Sequence, residues 1–181
     1  MSFSNIYFIL HKPQLSENIG ACARALKNFN FGNLILINSK VNYPNDKILA
    51  TSVGAKDVIK KSKTFGKLEP ALKKIDYLIA TTSRFRNKNI KHINIKDLSK
   101  IDFNKNIGFL FGSEASGLSN EEISYANCVL QIPTNPKFKS LNLSHSLIII
   151  CQLVASILRS KTSKYSKSNK IKTASKADIQ V

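Results

Sequence analysis

Residues Gly108–Ser119, GFLFGSEASGLS, and Val129–Ser146, VLQIPTNPKFKSLNLSHS, share one plan: a short apolar run that breaks into polar, turn-forming residues. The first run passes into Gly112, Ser113, Glu114, Ser116 and Gly117. The second passes into Pro133, Asn135, Pro136, Ser140, Asn142 and Ser144. In an open α/β sheet, ligands bind in the crevice beyond the carboxyl ends of the strands. Two Gly/Pro-rich polar loops leaving two strands therefore line one site. Glu114 is the carboxylate of the first loop; hydroxyls and an amide populate the second. The pattern fits a polar small molecule and contains no phosphate-loop signature.

Outward from these stretches the chain alternates. Ile6–Leu10, Leu34–Ile37, Tyr77–Ala80, Asn106–Phe111 and Cys128–Ile132 read as strands. Ser16–Phe29 reads as a helix, with Ser16 as N-cap and Gly32 just past its end. Lys67–Lys74 and Asn120–Tyr125 read as short helices. Leu143–Leu158 is the longest helix, with Leu147, Ile150, Cys151, Val154 and Leu158 at helical spacing. Val53–Ile59 fits a helix or a strand. Residues Arg84–Lys105, rich in Lys and Asn, read as a long surface loop. Strands alternating with helices predict an α/β fold, a mostly parallel sheet with helices on both faces. No internal repeat is visible. The expected organisation is one domain over residues 1–158, followed by a disordered basic tail at 159–181. That tail holds seven cations and one Asp among many Ser.

Charge sets the class of partner. Lys and Arg total 28 against 11 acidic residues, a formal charge of +17 over 181 residues. Such an excess is the footprint of a nucleic-acid partner, with an anionic membrane as the other candidate. No apolar run reaches the roughly 18 residues of a membrane span. The start, MSFSNIYFILHKP, has neither the basic leader nor the cleavage site of a signal peptide. Cys22, Cys128 and Cys151 are odd in number and widely spaced, which fits buried reduced thiols in a cytoplasmic protein. The three histidines, His11, His92 and His145, are unclustered, and no metal site is expected.

The second informative stretch is Ser16–Leu34, SENIGACARALKNFNFGNL. Gly20, Ala21, Ala23 and Ala25 keep a helix surface thin, so a backbone or a ligand can approach it closely. Arg24 is the one charge in its interior, and Asn18 lies in the first turn, where free N–H groups favour anions. Two readings stand level: a phosphate grip by Asn18 and Arg24, or a small-residue helix packed on a sheet with a surface Arg.

NIGACARALKNFNFGNL, FGSEASGLS and IPTNPKFKSLNLSHS together resemble the three signature motifs of the SPOUT-class, TrmH-like RNA 2′-O-ribose methyltransferases, in order and at similar spacing. Within that branch, ENIGACARALKNF, the ATTSR segment at Ala80–Arg84 and IPTNPKFKSLNLS are most similar to the tRNA methyltransferases acting at anticodon-loop position thirty-two. The resemblance runs from about Ile6 to Leu158. It implies an α/β fold with a C-terminal trefoil knot, S-adenosyl-L-methionine as cofactor, a homodimer with its site at the interface, and an RNA substrate, tRNA foremost. It implies catalytic roles for Asn18, Arg24, Glu114, Ser140 and Asn142. It implies a cofactor held around Thr82, Ser83, Gly112, Ile132, Ser140 and Leu141.

On residue chemistry alone, Glu114 would cap the helix that follows it, and His145 would be a packed or capping residue. Arg24 is a poor general base, because guanidinium stays protonated; orienting a phosphate suits it better. Tyr125, Phe138 and Tyr165 are candidates to stack on bases, Phe138 foremost, between Lys137 and Lys139. The position-thirty-two enzymes carry an additional C-terminal helical domain, whereas a basic segment follows Leu158 here. The alternatives are the same reaction on ribosomal RNA and a catalytically silent RNA-binding module. A Rossmann nucleotide-binding protein would need G-x-G-x-x-G after its first strand, and HKPQLSENIG has one Gly.

Overall fold

The computed structural model describes residues 3–83 and 90–162. The expectations for Arg84, Tyr165 and the segment 163–181 lie outside them. The architecture follows from runs apolar on both faces, as buried parallel strands require. IYFILH forms β1 (Ile6–His11) and IGFLF a strand at Ile107–Phe111 in which every residue is buried. In chain order the elements are β1, α1 (Ser16–Asn28), β2 (Asn33–Ile37), α2 (Asp46–Thr51), α3 (Lys56–Lys61) and β3 (Lys63–Phe65). Then come α4 (Leu68–Leu72), β4 (Tyr77–Thr81), β5 (His92–Asn94), a 3-10 helix (Ile95–Lys100) and β6 (Ile107–Phe111). The chain continues through α5 (Asn120–Ser124), β7 (Cys128–Gln131) and α6 (Leu143–Thr162).

The sheet has seven strands in the order β3-β2-β1-β6-β4-β7-β5, and every pairing is parallel. Alternation along each strand splits the core in two. Phe8, Leu36, Phe109 and Leu130 face α1, α2, α3 and α6; Ile9, Ile37, Leu110 and Val129 face α4 and α5. The α/β expectation, with helices on both faces, therefore holds.

Four elements were not legible. β3 and β5 are three-residue edge strands. α2 is started by Asn45, whose side chain accepts from the Ile48 amide. The 3-10 helix is started by an Asn94–Asp97 capping box. The expected loop Arg84–Lys105 thus holds a strand and a helical turn, both short enough to leave no periodicity. Val53–Ile59 resolves into the turn before α3 and α3 itself.

α1 begins one residue differently from expectation. Leu15 is its N-cap, and the Ser16 hydroxyl accepts a hydrogen bond from Asn45. Its end is turned by Asn30, at φ 66°, rather than by Gly32. Gly20 explains the thin surface: an added Cβ would run into Thr51 and sit 2.6 Å from the Ile48 carbonyl oxygen of α2. The close approach is therefore made by α2, through the Thr51 side chain and the Ile48 carbonyl.

α6 runs four residues past Leu158. Leu147, Ile150, Cys151 and Val154 are fully buried, as their spacing predicts. Over Leu143–Lys161 its mean hydropathy is 1.5, long and apolar enough to cross a membrane, although its longest unbroken apolar run is Leu147–Cys151. A third of that window is buried inside the fold, on the face that carries Leu147, Ile150, Cys151 and Val154. All three cysteines are buried and unpaired, and burial pushes the Cys22 and Cys151 thiols far up.

Candidate functional site

Three neighbouring strands, β6, β4 and β7, end side by side, and the loops leaving them enclose a cavity of about 140 Å³. Its walls are Thr81–Ser83 after β4, Phe111–Leu118 after β6, and Leu130, Ile132 and Lys139–Leu141 after β7. Leu143 and Ser146 of α6 complete it. All six residues expected to hold a cofactor line this one cavity: Thr82, Ser83, Gly112, Ile132, Ser140 and Leu141. Glu114 lines it as well. The Thr81 hydroxyl donates to the Leu110 carbonyl at 3.0 Å, and the Thr82 amide donates to Leu130 at 3.2 Å, pinning the β4 end between its neighbours.

The β6 loop is folded back on itself. The Gly117 amide donates to the Ser113 carbonyl at 2.9 Å, and the Ser113 and Ser116 hydroxyls are bonded at 2.8 Å. Gly117 takes φ +67°, a conformation suited to glycine. A Cβ at Gly112 would collide with the backbone of Gly117 and Leu118. The cavity wall here is bare main chain.

A hydrogen-bonded chain ties the three motifs together. The Glu114 carboxylate accepts from the Gln14 amide (2.9 Å), the Leu15 amide (3.2 Å) and the Asn18 side chain (2.9 Å). The Asn18 carbonyl oxygen accepts from the Asn142 side-chain amide at 2.9 Å. The Asn142 oxygen accepts in turn from the Ser144 amide (2.8 Å), and so starts α6. Asn18 is 6% exposed, with both ends of its amide engaged by protein. Glu114 does not cap the helix after it, as residue chemistry alone suggested. Ser119 and Glu122 do that as a capping box, and Glu114 is free to bind the amides entering α1.

Arg24 stands apart. It is exposed on α1, does not line the cavity, and makes no hydrogen bond or ion pair among the described residues. His145 is exposed, with its amide 3.4 Å from the Asn142 oxygen. The Tyr125 hydroxyl donates to Glu69 at 2.6 Å.

One cluster escaped sequence reasoning. Glu122, 8% exposed, accepts from Lys12 at 2.7 Å and from the Ser119 amide at 2.8 Å, and its carboxylate lies 3.2 Å from His11 Nδ1. Burial holds His11 below the usual histidine value, outweighing the nearby carboxylate. The imidazole is therefore neutral at pH 7 beside the Glu122 carboxylate. Burial raises Glu122, but the Lys12 and Ser119 hydrogen bonds outweigh it and leave it below its usual value. Nothing in the spacing of residues 11, 12 and 122 announces this contact.

The lining suits an amphipathic ligand. Phe111, Leu118, Leu130, Ile132 and Leu141 offer apolar surface to a flat ring; Thr82, Ser83, Ser113, Ser116 and Ser140 offer hydroxyls to a sugar or amino-acid end. Among the described residues, no group of His, Cys, Asp and Glu is placed to hold a metal ion. Fold and site together define an α/β protein with a cavity at the strand ends of a parallel sheet, walled by the loops after β4, β6 and β7. Residues 5–152 match the model of the SpoU rRNA Methylase family, and the chain belongs to that family. It is 33% identical over 150 residues to the tRNA (cytidine-2'-O-)-methyltransferase TrmJ of Methanocaldococcus jannaschii, covering 80% of this chain and 65% of that one. It is 32% identical to the tRNA (cytidine/uridine-2'-O-)-methyltransferase TrmJ of Photorhabdus laumondii, covering 81% and 62%. A probable methylase family protein from Haemophilus influenzae Rd KW20 has the same fold, with a TM-score of 0.84 at 26% identity, covering 91% of this chain and 69% of that one. The chain spans just under two thirds of the length of these two curated relatives.

Proposed function

We propose that this protein is an S-adenosylmethionine-dependent RNA 2′-O-ribose methyltransferase, with tRNA as its substrate, working in the cytoplasm as a homodimer. The observation that carries the reading is the cavity. Six residues from three separate loops, named from motif resemblance, meet around one amphipathic space in a chain of the SpoU family. Similarity to two tRNA 2′-O-methyltransferases favours tRNA over ribosomal RNA. Belonging to a methylase family and keeping all five motif residues both speak against a silent binding module.

Thr82, Ser83, Gly112, Ile132, Ser140 and Leu141 would hold the cofactor. S-adenosylmethionine, when bound, supplies a methyl group already activated for in-line attack, which leaves positioning as the main task of the protein. Asn18, Glu114 and Asn142 act by bracing: their hydrogen bonds fix the entry of α1 against both cavity loops. Arg24 would hold the target phosphate and stabilise the oxyanion that develops on the ribose.

Because Arg24 is exposed and away from the cavity of its own chain, the proposed arrangement brings it to the site of a second copy. Exposed Leu15 at the α1 start and Ile148 on α6 offer apolar surface for that contact. The strand order supports a knotted C-terminal part, in which α6 passes through the loop after β6. β6 lies between β1 and β4, and β7 between β4 and β5, so each late strand enters between earlier ones.

Ribose methylation mapped across total RNA, with and without the protein, tests the activity; an unchanged map overturns it. Calorimetry with S-adenosylhomocysteine should show one site per chain. Arg24→Ala should keep that binding and lose about 10²–10³ in methyl-transfer rate. Activity within a few-fold of wild type would remove Arg24 from the reaction. Light scattering that finds a monomer in an active preparation would remove the shared site.

A further inference from the structure

We propose that Phe138 is a stacking platform for an unpaired nucleobase of the RNA, next to the ribose presented to the cavity. The inference rests on the methyltransferase reading and adds a specific substrate contact to it.

Phe138 is 77% exposed, the highest value among the exposed large hydrophobic side chains, in a chain whose other Phe rings largely pack into the core. A ring left in water this way is not serving the fold. It is also held in place. The Phe138 amide donates to the Asn135 carbonyl at 2.9 Å, and the Lys137 amide to the Asn135 side chain at 2.9 Å. The Thr134 hydroxyl donates to the Lys139 carbonyl at 3.3 Å, closing the turn from the far side. The next three residues, Lys139, Ser140 and Leu141, line the cavity. Two residues of extended chain reach at most about 7 Å, so a base on Phe138 adjoins whatever occupies the cavity.

The surroundings select the partner. Lys137 and Lys139 flank the ring, no acidic residue lies between Ile132 and Asn142, and neither ammonium is ion-paired among the described residues. An exposed aromatic ring whose two chain neighbours are both lysines matches a base and its phosphates. Bases inside an A-form duplex are already stacked and closed to such a ring, whereas loop bases splay out. The occupant is therefore a base of a single-stranded loop. Stacking reads no base edge, so the contact places the nucleotide without choosing its identity.

The test compares wild type with Phe138→Ala, Phe138→Leu and Phe138→Trp. It uses a single-stranded RNA and a duplex of the same sequence, with S-adenosylhomocysteine affinity and molecular mass measured alongside. Phe138→Ala should weaken single-strand binding by about 5- to 150-fold. Trp should restore it and Leu should not, with duplex and cofactor affinity unmoved. Binding within twofold of wild type in Phe138→Ala overturns the proposal, as does full rescue by Leu, which would mean plain apolar packing. A fall from dimer to monomer in Phe138→Ala also overturns it, because the ring would then serve a second copy. Wild-type protein that binds no RNA overturns both this and the methyltransferase reading. Wild type that methylates RNA while the Ala variant binds it equally well overturns the stacking alone.

Discussion

Glu114→Gln separates a bracing carboxylate from a proton-accepting one. The change keeps size and removes one acceptor and the charge. Glu114 Oε1 holds two donors, Leu15 N–H and Asn18 Nδ2, and Oε2 holds Gln14 N–H. In its better orientation a Gln oxygen keeps the pair and turns its own NH₂ towards the Gln14 amide. One charge-assisted bond is lost, worth about 1.5–3 kcal/mol, and two others fall to neutral strength, about 1 kcal/mol each. The site is half-buried, so water recovers roughly half of that, leaving a cost of about 2 kcal/mol. For a chain of this length that lowers Tm by about 4–8 °C. Thermal melts and single-turnover methyl transfer, run together, give the answer. Bracing predicts a lower Tm with a partial loss of rate. A variant that melts within 1 °C of wild type and loses a hundredfold or more in rate would refute it, and would make Glu114 the group that takes the ribose proton.

Gly112→Ala should cost about 1–3 kcal/mol of stability, because its Cβ meets the Gly117–Leu118 backbone. It should also abolish the calorimetric signal with S-adenosylhomocysteine; wild-type affinity would mean that this loop does not wall the ligand. Acid should weaken the fold through the His11–Glu122 cluster. Unfolded histidine takes up a proton below 6.5 while folded His11 resists it. The Glu122 contribution, present above 4.5, disappears as pH falls through its lower folded value. The denaturant midpoint should drop between pH 7.5 and 5.5 in wild type and drop less in His11→Gln; equal slopes would refute the assignment. Truncation after Thr162 removes five lysines. It should flatten the log–log salt dependence of RNA binding by up to about 3.5, at roughly 0.7 per single-strand phosphate contact. A change in which nucleotide is methylated would instead make the segment a specificity element.

The elements read correctly from sequence were the short helices α4 and α5 together with β1, β2, β4, β6, β7, α1 and α6, which carry a full apolar face or run. Their signal is periodicity, which packing does not override. α2, β3, β5 and the 3-10 helix are three to six residues long, too short for a period, and are fixed by single caps such as Asn45 and Asn94. The two cavity loops were legible because Gly, Pro and Ser follow apolar runs, and their facing each other followed from the strand-end rule. The chain of contacts from Glu114 through Asn18 to Asn142 was not, since it joins residues 96 and 124 positions apart. Resemblance picked out those residues without saying that they touch. Lys12 and Glu122, 110 positions apart, had no motif to mark them.

The central placement of β6 has a consequence for how the chain is made. β1 is made well before β6, yet the neighbour that pairs with Ile6–Leu10 along one edge is Ile107–Phe111. At about 5–20 residues per second, the ribosome takes roughly 5–20 s to supply it. During that interval β1 can pair with β2, but its inner edge and both edges of β4 remain open. Open apolar edges recruit other chains. The last core helix, α6, then closes over the same sheet face as α1. The nascent sheet therefore stays adhesive until β6, β7 and α6 have all emerged.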